Sequence, residues 1–168
     1  AGATYLPLDP AYPKDRIAYM LADARPRILL TQQRLCAQLP VHEARQVNID
    51  AECEQISRES GENLFSDVAP ENSADLIYTS GSTGKPKGVL STHAALVNYT
   101  LAATREFRLT PDDCFLQFAP LSFDVLVEEL FPAWVSGARV AIPNERVLDS
   151  FPAFLDFIDQ EQVTLFEA

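Results

Sequence analysis

Short apolar runs of β type alternate with stretches of helical spacing along the whole of this 168-residue chain. Residues 3–8 read as a strand closed by Asp9-Pro10. Pro13 suits the first turn of a helix, where its missing N–H costs nothing. Ile17, Met20, Leu21 and Ala24 then follow at i, i+3, i+4 and i+7, ending near Pro26. Residues 27–31 predict a strand, 32–39 a short helix stopped by Pro40, and 46–49 a weaker strand before an acidic helix and loop. Residues 75–79, 114–118, 138–142 and 163–166 predict further strands. Between them, Thr92 caps a helix striped by Leu96, Tyr99, Ala103 and Phe107. A second starts near Asp124 with Val127, Leu130, Phe131 and Trp134 on one face, and Pro132 is expected to bend or end it. A third is capped by Ser150, with Phe151, Phe154, Leu155 and Ile158 as its apolar face. Such alternation predicts an α/β fold with a largely parallel sheet.

Charge narrows the function. The chain holds 13 basic and 24 acidic residues, a formal charge of −11, which disfavours nucleic acid as a partner. An apolar fraction of 47% with 22% charged residues excludes a disordered tail or a collagen-like fibre. Residues 43–75 carry nine acids and two arginines, whereas residues 76–105 hold no acid at all but include Lys85, Lys87 and Arg105. That gap fits either an anion site or a buried strand–helix unit. Cys36, Cys53 and Cys114 form no CxxC pair and suggest a reducing, cytoplasmic setting rather than a disulfide framework. His42 and His93 stand apart from any metal-ligand pattern. No apolar run approaches the ~20 residues of a membrane span. The start at Ala1-Gly2-Ala3 without Met, and a last strand with no helix to cover it, lead us to expect a fold truncated at both ends.

The segment Thr79-Ser80-Gly81-Ser82-Thr83-Gly84-Lys85-Pro86-Lys87-Gly88 concentrates three of the chain's six glycines, four hydroxyls and two lysines. Glycines let backbone N–H groups approach a phosphate, hydroxyls add neutral donors, and lysines supply charge. A flexible surface loop is the bland alternative. Counting from Gly81, the second glycine of a Walker loop would fall on Pro86, and GxGxxG is absent. Pro86 also prevents an immediate helix, so the segment is expected to act as a mobile clasp for a nucleoside triphosphate.

Residues 78–89 resemble the phosphate-loop motif of the adenylate-forming superfamily, which includes acyl-CoA ligases, luciferases and nonribosomal peptide synthetase adenylation domains. Two segments resemble the last group: Asp9-Pro10-Ala11-Tyr12-Pro13, running on to Arg16-Ile17, and Phe123-Asp124 before an amphipathic helix. The resemblance spans the chain and implies a partial adenylation domain over residues 1–168, part of the large N-terminal region without its remaining strands or the small C-terminal domain. It implies ATP binding by Thr79, Ser80, Gly81, Ser82, Thr83, Gly84, Lys85, Lys87 and Gly88.

The same resemblance gives Asp124 the substrate ammonium and places Val125 and Glu128 on the side-chain pocket, an acid that hints at a polar or cationic substrate. From pattern alone, an ordinary helix N-cap is the favoured reading of Asp124, which the resemblance reverses, and a solvated helix face is the favoured reading of Glu128. Val125-Leu126 stand where the family more often has a small residue and Ser. The motifs for Mg2+, ribose and the catalytic lysine are not found, so Mg2+ ligands are expected outside this chain and no catalytic residue is assigned. The implied reaction is ATP-dependent activation of an amino acid for a carrier protein's phosphopantetheine arm, among neighbouring synthetase domains. Two alternatives stay open: activation of an acid without an amino group, as by acyl-CoA ligases, and a non-catalytic module that docks its neighbours.

Overall fold

The computed structural model describes residues 2–80 and 85–167. The elements run α1 (Lys14–Ala24), β1 (Ile28–Thr31), a 3₁₀ helix (Gln33–Gln38), β2 (Arg45–Asn48), α2 (Cys53–Ile56), β3 (Ser73–Thr79) and β4 (Lys87–Thr92). They continue with α3 (His93–Glu106), β5 (Cys114–Leu116), α4 (Val125–Ser136), β6 (Arg139–Ala141), α5 (Glu145–Leu148) and α6 (Phe151–Gln160). The chain divides into two compact units, residues 1–2, 8–67 and 78–89 forming one, and residues 3–7, 68–77 and 90–168 the other.

In the first unit, β1 and β2 pair in parallel from Ile28↔Arg45 to Thr31↔Asn48. Strand β1 alternates exposed and buried residues, so Leu29 meets Ile17 and Leu21 of α1, with Leu8, Tyr12, Leu39 and Ala44 around them. This is the period-2 strand face meeting the i, i+4 helix face. Helix α1 ends where Arg25 turns left-handed at φ 45° and donates its N–H to Leu21 O.

In the second unit, the crossover helix α4 joins the parallel strands β5 and β6, paired from Cys114↔Arg139 to Leu116↔Ala141. All of β5 is buried, and its faces divide cleanly. Phe115 packs among Leu109, Ala133 and Ala138, while Cys114 and Leu116 pack with Ala141 against Phe154, Phe157 and Val163. A strand covered on both faces is a continuous apolar run, as in a parallel sheet between helices. Gly137 supplies the left-handed turn after α4, at φ 80°.

Several expectations shift in detail. Residues 3–8 contribute a single parallel bridge, Tyr5↔Asp75, and residues 163–166 another, Phe115↔Leu165, so neither forms a named strand. The strands pair as three two-stranded sheets, β1–β2, β3–β4 and β5–β6, rather than one continuous sheet among the described residues. Pro132 lies inside α4, which continues to Ser136. Its ring removes the donor that would meet the Glu128 carbonyl, yet Pro132 is fully buried and the packing around it holds the helix together. Thr92 and Ser150 cap α3 and α6, accepting from Ala95 N at 3.2 Å and Ala153 N at 3.5 Å.

Candidate functional site

Asp124 immediately precedes α4, and its side chain makes no capping hydrogen bond. The carboxylate is exposed and left over for other work. Glu128 follows one turn later on the same face. Both line a cavity of about 220 Å³ within the second unit, together with Asp75, Ser91, Leu96, Tyr99 and Val127. Of the three predicted substrate residues, the cavity therefore brings together Asp124 and Glu128. Val125 is half-buried at the first turn of α4 and does not line it.

The walls of this cavity are electronegative. Burial, and then the neighbouring Glu128 carboxylate, pushes the Tyr99 phenol well above its usual range. Burial, and then the neighbouring Glu128, raises the Glu167 carboxyl above its ordinary value. Asp75 is 2% exposed and its Oδ1 has no hydrogen-bond partner among the described residues. Burial, with a smaller contribution from Asp75, raises the phenol of Tyr5 as well.

The segment between β5 and α4 is fixed by a residue that sequence reasoning passed over. Glu129 is fully buried, and its carboxylate accepts from Phe118 N at 3.0 Å, Ala119 N at 2.8 Å and Gln117 Nε2 at 3.2 Å. A carboxylate so placed has its acceptor needs met in the interior by two backbone amides and one side-chain amide. It also ties the chain leading to Asp124 back onto α4.

The described phosphate-loop residues Thr79, Ser80, Lys85, Lys87 and Gly88 fall in the first unit. Thr79 ends β3 and Ser80 follows it, both exposed; Gly81, Ser82, Thr83 and Gly84 lie outside the described residues. Exposed Lys85, then Pro86, lead into β4, where Lys87 and Gly88 are also exposed. Strand β3 precedes the segment and β4 begins at Lys87, so no helix follows Pro86 directly, as expected. Tyr78 anchors its start: the hydroxyl donates to Asp23 at 2.6 Å, and the ring meets Tyr19 edge-on at 6.4 Å. Burial and Asp23 push the Tyr78 phenol far up. Asp23 and Tyr19 left no motif, since their partner is 55 residues away from Asp23.

Residues 1–168 match the AMP-binding enzyme family, and the chain belongs to it. It is 37% identical over 169 residues to tyrocidine synthase 1 of Brevibacillus parabrevis, covering 98% of this chain and 15% of that protein. To the dimodular nonribosomal peptide synthase of Bacillus subtilis it is 37% identical over 170 residues, covering 99% of this chain and 7% of that protein. Among solved structures, the AMPPNP-bound form of the nonribosomal peptide synthetase FmoA3 superposes with a TM-score of 0.82 at 32% identity, covering 96% of this chain and 17% of that one. The N-terminal subdomain of Klebsiella oxytoca NpsA, in complex with 3-hydroxybenzoyl-AMSN, gives 0.82 at 25% identity, covering 98% and 40% respectively. The mixed helix–strand fold is that of the N-terminal subdomain of adenylation domains. No helix among the described residues is long and apolar enough to cross a membrane.

Proposed function

We propose that these 168 residues are part of the large N-terminal region of an adenylation domain, and that the longer protein activates an amino acid with ATP for nonribosomal peptide synthesis. The substrate carboxylate attacks the α-phosphorus of ATP, the bond to the bridging oxygen breaks, and pyrophosphate leaves. The acyl group then passes from the adenylate to the thiol of a carrier protein's phosphopantetheine arm, releasing AMP. Lys85, Lys87 and the backbone and hydroxyl donors of Thr79, Ser80, Gly81, Ser82, Thr83, Gly84 and Gly88 hold the β- and γ-phosphates. Their donors offset the charge that grows on the leaving pyrophosphate. Asp124 receives the α-ammonium, with Val125 and Glu128 toward the side chain. A buried ammonium needs a compensating carboxylate.

The observation that carries this reading is the position of Asp124: free of capping duty and sharing a cavity with Glu128. Mg2+ accompanies ATP in this chemistry. Its ligands belong to the later motifs of the family, outside this chain. The free thiols Cys36, Cys53 and Cys114 suit a cytoplasmic location.

A second reading, activation of an acid without an amino group, draws support from NpsA, whose bound analogue carries a 3-hydroxybenzoyl group. ATP–pyrophosphate exchange on the longer protein decides between them. Exchange with an amino-acid pool supports the first reading, and exchange with amino-free acids alone supports the second. Silence in every pool from folded protein leaves a docking module.

A further inference from the structure

The cavity beside Asp124 carries more negative charge than a neutral amino acid can balance. Asp75, Asp124 and Glu128 all line it, and among the described lining residues there is no Lys or Arg. One α-ammonium neutralises one carboxylate. The others remain, and Asp75 is the telling one: 2% exposed, with an oxygen that no donor reaches among the described residues. A buried carboxylate oxygen without a donor is costly unless a ligand supplies one. The missing charge does not suit a metal ion, because no described group of three ligands could hold one. It suits an organic cation spread along the wall. At about 220 Å³ the space is smaller than the ~300–1,000 Å³ of drug-sized pockets, which fits one side chain.

Resting on the adenylation reading, we infer that this cavity selects an amino acid whose side chain ends in an ammonium or guanidinium group. The α-ammonium sits on Asp124 and the second cation is drawn between Glu128 and Asp75.

The test is ATP–pyrophosphate exchange on the longer protein, comparing lysine, ornithine and arginine with the near-isosteric neutral amino acids norleucine and citrulline. The expected result is a preference for a cationic member, with Glu128→Gln lowering the kcat/KM ratio of cationic over neutral substrate by about 10–100-fold, the worth of a charge-assisted hydrogen bond. Asp75→Asn is expected to lower the same ratio. The wild-type panel stands even where a variant does not fold. A wild-type preference for neutral amino acids overturns the inference and leaves the adenylation reading intact. Cationic preference untouched by Glu128→Gln in folded protein overturns the assignment to this cavity. Exchange with no amino acid at all overturns the adenylation reading, and the inference with it.

Discussion

Both carboxylate oxygens of Glu129 accept from the single backbone N–H of Ala119, at 2.8 and 3.1 Å, and Oε1 also takes the N–H of Phe118 at 3.0 Å. One fully buried acid on α4 thereby closes off the backbone donors of the segment that leaves β5. The arrangement is nearer to an internal cap than to an ion pair, since every partner is an amide.

Glu129→Ala therefore strands two backbone amides in the interior. Each unsatisfied donor costs about 1–3 kcal/mol, so a loss of roughly 2–6 kcal/mol is expected in urea unfolding. Glu129→Gln keeps one acceptor oxygen and should lose about half as much. Equal losses for the two variants would show that packing, not hydrogen bonding, holds this segment.

Local signals were legible in the sequence, and distant ones were not. Thr92 and Ser150 announce their helices because a cap acts on an amide three residues away. The strand at β5 was legible from its apolar run, and Pro86 announced that no helix follows it at once. Glu129 could not be told from Glu128 by pattern: both are glutamates on one helix, and what separates them is backbone donors 10 and 11 residues away. The same holds for Asp23, whose partner Tyr78 sits 55 residues on. Pro132 does not end α4, which runs on to Ser136, and its burial was not legible in the sequence. Asp75 carried no motif either; its isolation appears only once the strand is buried.

The capping bond of α3 gives a small, clean expectation. Thr92→Ala removes the acceptor for Ala95 N and should cost about 1 kcal/mol. Thr92→Ser retains the oxygen and should restore most of it. Urea midpoints at constant slope would separate the two.

Asp113 sets part of the acid response. Its carboxylate accepts from Thr110 N at 2.8 Å, Thr110 Oγ1 at 2.9 Å and Thr164 Oγ1 at 2.9 Å. The hydrogen bonds to Thr110, first the backbone and then the side chain, followed by that to Thr164, hold its carboxyl below the usual carboxylate range. The folded chain thus keeps this group ionised where the unfolded chain has bound a proton. Its contribution is complete above the ordinary Asp value of about 3.9 and fades as pH falls through the lowered folded value. Asp113→Asn should flatten that part of the stability profile and change its slope little near neutrality. An unchanged acid limb in the variant would remove Asp113 from the account.

Lys85 and Lys87 are both exposed, so replacing them should separate binding from stability. Lys85→Ala and Lys87→Ala are expected to shift unfolding by no more than about 0.5 kcal/mol, as surface changes do. In the longer protein, the same changes should weaken ATP-dependent exchange by about tenfold or more, because they remove charge from the leaving pyrophosphate. Unaltered exchange with either lysine gone would take that residue out of the phosphate clasp.

Asp124 offers the sharpest division between a structural and a substrate-binding acid. A capping aspartate contributes about 1 kcal/mol to its helix, which Asp124→Ala would forfeit. Here the side chain makes no capping bond and is exposed, so the variant should unfold within about 0.5 kcal/mol of the parent. Its cost should appear in amino-acid exchange instead. Loss of an anchor that meets a buried ammonium is worth several kcal/mol, or about a hundredfold or more in kcat/KM. Asp124→Asn keeps the shape and removes the charge, and should fail nearly as badly if charge is what the ammonium requires. A variant that loses stability but keeps its exchange rate would return Asp124 to the helix and leave the ammonium without an anchor.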